Sequence, residues 1–406
     1  MNIFKIARRN IWRNKRRTLI TVASVFFAVF FAVVMRSLQL GSYAVMIKNV
    51  VSSYTGHIQI HKTGYWDDKI INNTFPEDPE LEKKVSEIQS VDKIVPRLES
   101  FALASFDEQT KGSIVIGIKP EEENEMTKLA DKIVAGSYLS EDDKGVLVSE
   151  KLASFLKLSV KDTLVLMGQG YHAATAAGKY PVRGIIHLNS PELNNKMIYI
   201  TLPEAQELYS APEMLSSLSI LLKNSDDINA AEKAISEKID LNKFEVMSWK
   251  KITPELNQAI QSDNIGGEFM LAILYMIVGF GVFGTIVMMT AERKKEFGVI
   301  VAVGMEKTKL VGMLFYETLL LGFIGIISGF LVALPIIFYY STHPLHITGA
   351  ASKTFESFGF DPVMAFSTHL YFMISQIIVV FVIVLIAFLY PLIHIFKLDP
   401  VKSMRN

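Results

Sequence analysis

The sequence predicts a membrane α+β protein: four transmembrane helices in a 1+3 arrangement, with a large periplasmic α+β domain between helices one and two. Three observations predict it. Residues 18–35, 269–291, 318–340 and 370–396 are long apolar runs without a single Asp, Glu, Lys or Arg. Each is close to or above the ~20 residues that an α-helix needs to cross a hydrocarbon core. Residues 36–268, polar and mixed, separate the first run from the second, and basic residues gather at one set of helix ends.

The chain opens on Lys5, Arg8, Arg9, Arg13, Lys15, Arg16 and Arg17. Residues 1–17 are expected to form a cytoplasmic amphipathic helix leading into membrane helix one at 18–40. Positive charge beside membrane-helix ends stays in the cytoplasm. Arg293, Lys294, Lys295, Lys307 and Lys309 lie between runs two and three, and Lys397, Lys402 and Arg405 follow run four. The 341–369 connection holds only Lys353 among Lys and Arg. Both termini and residues 292–309 are therefore assigned to the cytoplasm, and residues 41–265 to the outside. A signal peptide would share the basic start, but this apolar core is too long and no clean small-residue cleavage site follows. Arg36, at the outer end of helix one, is expected to snorkel to headgroups.

Within 41–265 the pattern mixes both periods. Residues 56–61 (GHIQIH) alternate as a strand. Residues 78–89 place Leu81, Val85 and Ile88 at helical spacing after Pro76 and Pro79. Residues 113–118, 145–149, 163–167, 181–186 and 197–201 read as short strands between turn residues. Short helices are expected over 149–155 and 202–209, with Pro203 near a helix start. A strand (215–222), an amphipathic helix (227–239) and a strand (244–248) follow, and 257–268 run on into membrane helix two. The expected organisation is a β-rich subdomain at about 100–210 inserted in an α/β subdomain. His57 and His61 share one side of an expected exposed strand, too few ligands for a metal. Asp142-Asp143 and Glu121-Glu122-Glu123 read as solvated turns, and the 168–179 stretch (GQGYHAATAAGK) as a flexible loop.

Membrane helix two is expected at 266–291, a cytoplasmic coupling segment at 292–309, helix three at 310–340, a periplasmic loop at 341–369, helix four at 370–396 and a cytoplasmic tail at 397–406. Gly279, Gly281 and Gly284 in helix two, and Gly322, Gly325 and Gly329 in helix three, offer small faces for helix packing. Glu317 stands at the start of the third run, where a carboxylate needs a partner or the headgroup zone; it reads as structural or coupling. The segment between reads AERKKEFGVIVAVGMEKTKL, with small residues at Gly298, Ala302 and Gly304 for close approach, Val299, Ile300, Val301 and Val303 for apolar contact, and Arg293, Lys294 and Lys295 for charge.

Composition excludes several chemistries. Lys+Arg and Asp+Glu are both 41, and there is no cysteine. Nothing favours nucleic acid. Disulfides, thiolate metal sites and a cysteine nucleophile are ruled out. The glycine-lysine loop that cradles nucleotide phosphates does not occur, nor does a serine elbow or an HExxH pair. No catalytic residue, cofactor or metal is assigned, and ATP-driven work would need ATP and Mg on a partner.

The spacing Glu296-x-Gly298-x-x-x-Ala302-x-Gly304 resembles the coupling segment of the FtsX/MacB-type ABC transporter permeases, with Phe297 in place of the usual Ile. The opening RRNIWRNKRRTLIT resembles that family's basic amphipathic helix, and Leu398-Asp399-Pro400-Val401 its terminal motif. The one-plus-three topology matches as well. Within the family, GHIQIH and the stretch 163–209 are most similar to the lipoprotein-releasing (Lol) permeases. In one of those the loop matching 168–179 is a hook for a soluble carrier; here it lacks the hook's prolines.

The resemblance implies a non-catalytic permease subunit that couples ATP hydrolysis by an ABC ATPase dimer to periplasmic conformational change, beside a second permease subunit, the same or homologous. Arg293, Glu296, Gly298, Ala302 and Gly304 would couple to the ATPase. Tyr43, Met46 and Val50, with Ile47 and Val51, would meet substrate or membrane lipids, and Gly170, Tyr171 and Ala174 a periplasmic lipoprotein carrier. Lipoprotein release is the expected function; the alternatives are a MacB-like export permease and an FtsX-like transmembrane signal transmitter.

Overall fold

The computed structural model describes residues 3–13, 15–357 and 362–399. It divides into a membrane unit (Met1–Ala44, Ile260–His346, Val363–Asn406) and an outer unit (Val45–Ala259, Ile347–Pro362). Two of the unit boundaries fall inside long helices, and two lie beside the short strands Leu345–His346 and Val363–Met364.

Among the described residues, four helices are long and apolar enough to cross a membrane: Lys15–Val50, Pro254–Glu292, Lys307–Thr342 and Leu370–Phe396. The first overruns its apolar stretch because residues 36–50 contain no proline, so nothing interrupts the hydrogen-bond ladder. It ends in a single π-turn, Val51–Thr55, closed by Gly56 at φ +66°. The membrane core joins Val25, Ala28, Val29 and Val33 to Ile326, Ala333, Ile337, Val380 and Val384. Helix one and helix three approach backbone to backbone. A Cβ at Gly329 would stand 2.6 Å from the Phe26 carbonyl, and one at Gly325 would meet Val25. The helix-two glycines differ: Gly284 faces open space and Gly279 makes only ordinary contact with Ile383.

Arg36 does not snorkel alone. Its guanidinium donates to Gln39 (2.7 Å) and Asn264 (2.8 Å), with Glu268 3.9 Å away. Helix two supplies polar partners at the outer end of helix one, and partnered hydrogen bonds replace those that headgroup water would offer.

The outer unit is built on one ten-stranded mixed sheet. Six of its strands close into a ring: Val91–Phe106, Gln109–Ile118, Met197–Thr201, Val146–Ser149, Thr175–Ile186 and Thr163–Gln169, the last returning to the first. Closure removes the exposed edges of a small sheet. The expected inner β-rich piece corresponds to this ring, but it is not independent. Strand Val91–Phe106 first pairs with Ser217–Leu222 of the flanking sheet and then with the ring. Its sixteen residues escape a period-2 reading because 95–98 are buried on both faces. Pro96 is tolerated because Gln109–Ile118 starts to pair only at Arg97, so no ladder donor is lost on that side.

At that crossover the outer unit buries charge. Arg97 is 1% exposed; its Nε and Nη2 donate to Glu123 at 2.8 and 2.7 Å, and Nη1 donates to the Tyr54 carbonyl. The Tyr54 hydroxyl donates to Glu99. Glu123 is thus no solvated turn residue: the guanidinium replaces its water. Asp143 likewise accepts from the Gly145 N–H and from Arg183, each at 2.8 Å.

Residues 168–179 are a β-hairpin rather than a flexible loop. Thr163–Gln169 pairs with Thr175–Ile186 up to Gln169↔Thr175, leaving a five-residue tip. The tip is fastened by Tyr171 N–H to the Tyr209 carbonyl (2.8 Å) and by His172 N–H to Asn72 (2.8 Å).

Strand Ile58–Lys62 is central, between Ser217–Leu222 and Phe244–Ser248, so His57 and His61 are buried instead of exposed. His61 Nδ1–H donates to the Ser216 carbonyl (3.0 Å), and its ring stacks on Tyr65. His57 Nδ1 accepts from the Leu222 N–H. Among the described residues no group of three or more metal-ligating side chains occurs.

Burial pushes the His61 imidazole down to about 4. The unfolded chain, with a pKa near 6.5, therefore binds a proton between about pH 6.5 and 4 that the folded chain refuses. Stability from this group is full above pH 6.5 and is lost as pH falls. We predict a loss of about 2 kcal/mol between pH 6.5 and 5. Denaturant unfolding of the full chain in detergent at the two pH values would show it, and His61→Phe should flatten the slope.

Candidate functional site at the coupling helix

The connection between helices two and three folds as a short helix, Lys294–Ala302. Its far end closes on Gly304. The Gly304 N–H donates to the Val301 carbonyl (3.0 Å), and the Met305 N–H reaches back to Ile300 (3.1 Å), the paired closure of a helix before a left-handed residue. Gly304 has φ +106°, and a Cβ there would meet nothing. Glycine is needed for the backbone, not for space within this chain.

The helix is two-sided. Phe297 and Gly298 are buried, and Phe297 packs with Ala7, Leu310, Met313, Leu314, Phe388 and Ile395. Val299, Ala302, Val303 and Gly304 are exposed, Val303 to 84%. Three exposed apolar side chains and a glycine at one helix end form an unusual patch for a surface helix.

A chain of ion pairs holds that orientation. Arg293 donates to both Glu317 oxygens at 3.0 and 2.9 Å, with both side chains 6% exposed. Its Nε reaches Glu296 at 3.3 Å, and its guanidinium lies over the Phe297 ring. Arg13, at the end of the N-terminal helix Ile3–Arg13, donates to Glu296 at 2.7 Å. Arg17 pairs with Glu292. Asn10, Arg13, Arg17, Thr18, Met289, Arg293 and Glu317 enclose a cleft of about 10 Å³, room for roughly one water. Burial pushes the Glu296 carboxyl up, and the guanidiniums of Arg13 and Arg293 more than offset this, holding it below the ordinary carboxylate range. Lys307 donates to the carbonyls of Phe396 (3.0 Å) and Leu398 (2.7 Å), fastening the end of helix four to the start of helix three. Of the terminal motif, residues 400–406 lie outside the described residues.

The sequence-based residues therefore separate. Arg293 and Gly298 face the protein interior, whereas Glu296, Ala302 and Gly304 face outward. Arg13, Arg17, Glu292 and Lys307 are site residues that the motif did not single out. The readable signal was Glu317: an acid beside an apolar run demands a cation, and Arg293 is the one that reaches it. Elsewhere, the Tyr43 hydroxyl donates to Asp263 (2.6 Å), so its polar end is occupied. Met46 and Val50 are half-buried on helix Lys15–Val50. Gly170 is buried at the hairpin tip, with Tyr171 and Ala174 half-buried beside it.

Comparison with known proteins adds the following. The MacB-like periplasmic core domain profile matches residues 18–238, and the FtsX-like permease C-terminal profile matches 268–400. The lipoprotein-releasing system transmembrane protein LolC of Neisseria meningitidis is 19% identical over 77% of this chain and 75% of its own length. The macrolide export ATP-binding/permease protein MacB of Mannheimia succiniciproducens is 22% identical over 82% of this chain; the chain spans about half (52%) of that relative. The periplasmic region of MacB from Actinobacillus actinomycetemcomitans aligns with 52% of this chain and 96% of its own, at 13% identity and a TM-score of 0.37.

Removing one partner of a buried ion pair strands the other, at a cost of about 3–5 kcal/mol. Glu317→Ala should therefore lower the thermal stability of the detergent-purified chain markedly. Glu317→Ala combined with Arg293→Met should recover much of the loss, because no charge is left buried. Equal melting of wild type and Glu317→Ala would remove the pair from this role.

Proposed function

The chain belongs to the FtsX/MacB-type ABC transporter permeases, multi-pass proteins of the inner membrane, and from that premise we propose that it transmits ATP hydrolysis by a separate ATPase dimer to the periplasm in order to release lipoproteins. One observation carries the coupling part. The exposed apolar end of the coupling helix, Val299 to Gly304, is held outward by the buried Arg293–Glu317 pair and by Phe297. Such a surface suits a groove on a cytoplasmic partner, with Lys295 and Glu296 at its rim. ATP and Mg belong to that partner in this reading, since the chain carries no phosphate-cradling glycine-lysine loop. A second permease subunit, the same chain or a homologue, would complete the assembly.

The substrate reading rests on the likeness to LolC along most of both chains. Lifting a lipid anchor out of a bilayer costs about 0.8 kcal/mol per CH₂. That requires energy from outside the chain and apolar surface near the membrane. Met46 and Val50, half-buried on the first membrane helix, offer such surface. A carrier would meet the tip at Gly170, Tyr171 and Ala174 as a shaped hairpin. The MacB relatives are as similar in identity, and export of a small molecule or peptide is the competing outcome.

Ala302 is exposed, so Ala302→Trp should leave the stability of the isolated permease unchanged. In an interface the added volume should cost about 1–3 kcal/mol, roughly tenfold or more in affinity for the ATPase. Co-purification with the ATPase and stimulated hydrolysis measure this; wild-type values for both would sink the docking assignment.

Depletion of the protein should leave acylated lipoproteins in the inner membrane, read by sucrose-gradient fractionation of the envelope. Normal sorting together with raised sensitivity to a drug or peptide would replace lipoprotein release with export.

A further inference from the structure

Positive charge at the start of the chain is divided between two roles. Arg13 and Arg17 are engaged by Glu296 and Glu292. Arg9, Lys15 and Arg16 are exposed and form no ion pair among the described residues. Trp12, beside them, is 71% exposed.

Helix geometry sets the depth of Lys15 and Arg16, while Arg9 shares a face of the helix Ile3–Arg13 with Trp12, three residues on. Lys15 and Leu19, and likewise Arg16 and Ile20, are four residues apart on one helix, so each cation stands on the same face as an apolar residue. The rise between them is about 6 Å. Leu19 and Ile20 are 68% and 49% exposed, and Phe27 and Phe31 continue the Ile20 face at 50% and 49%. This strip lies within an apolar run long enough to span the membrane. Lys15 and Arg16 therefore sit one turn beyond the start of the lipid-facing strip, at headgroup depth. A tryptophan is favoured at the same level.

We propose that Arg9, Trp12, Lys15 and Arg16 form a docking surface for the phosphates of anionic phospholipids in the cytoplasmic leaflet. Guanidinium and ammonium groups at this depth need an anion, and a net-negative headgroup supplies one without an accompanying cation. The surface belongs to the same two helices whose Arg13 and Arg17 hold Glu296 and Glu292. Lipid charge thus acts on the corner that anchors the coupling helix. The proposal goes beyond the transport reading and is independent of the substrate.

The chain has three tryptophans, and Trp12 is the one in the membrane unit, which makes it a local reporter. The full-length chain is placed in phosphatidylcholine nanodiscs carrying equal fractions of either brominated phosphatidylglycerol or brominated phosphatidylcholine. The expected result is at least twofold greater quenching of the Trp12 component, defined by subtraction of Trp12→Phe, with the anionic lipid. The excess should disappear in an Arg9→Gln/Lys15→Gln/Arg16→Gln variant and shrink in high salt. Equal quenching by the two lipids, or an excess that survives in the variant, would overturn the proposal. So would absence of quenching by either, which is the outcome if a second copy of the chain covers this face. The wild-type comparison of two lipids stands even if the variant inserts poorly, and it needs neither ATPase nor substrate.

Discussion

The membrane unit is organised around one constraint: Glu317 cannot be left without a cation. It is almost fully buried at the cytoplasmic end of helix three, and Arg293 answers it with two hydrogen bonds. That bond fixes the residue at which helix two ends and the coupling helix begins. Once Arg293 points inward, Phe297 follows it one helical turn later into the apolar cluster. Val299, Ala302 and Val303 are then left outward. The water-side apolar patch is a consequence of the buried pair, not a separate feature. The pair need not add net stability over an apolar equivalent; what it adds is one defined orientation for the helix.

The outer unit repeats the principle in a different setting. Arg97 stands where one long strand passes from the flanking sheet into the closed ring, and it is neutralised by Glu123. It also ties down the carbonyl of Tyr54, in the π-turn that follows the first membrane helix. π-turns recur at functional sites, and here the turn is held by charge. In both units a buried arginine sits at a junction between elements, where packing alone would permit more than one arrangement.

On the function proposed above, these features would serve work transmitted through the protein rather than a polar path through it. Close backbone approaches occur between helices one and three at Gly325 and Gly329, and at Gly41, where a Cβ would meet the Ala365 carbonyl. Among the described residues, the ion-paired charges of the membrane spans lie toward their ends. The N-terminal helix meets the coupling helix through the exposed Arg13–Glu296 pair, which is weak and salt-sensitive, and through Ala7, buried in the cluster around Phe297.

The sequence by itself determined the membrane helices, their orientation and the α+β character of the outer domain, and it marked the short motif between helices two and three. Those properties follow from local quantities: uninterrupted apolar length, basic flanks, residue period and a short motif. Gly304 was legible as part of that motif, although its reason, a left-handed backbone, needed the structure. Tertiary structure alone decided the rest. Val91–Phe106 was hidden because burial on both faces erases alternation. His57 and His61 are buried because their strand is central, which nothing in a single strand reveals. Arg97 finds Glu123, and Arg293 finds Glu317, across 26 and 24 residues. Charge pairing depends on distance in space, and the chain's spacing carries no record of which cation will be folded against which acid.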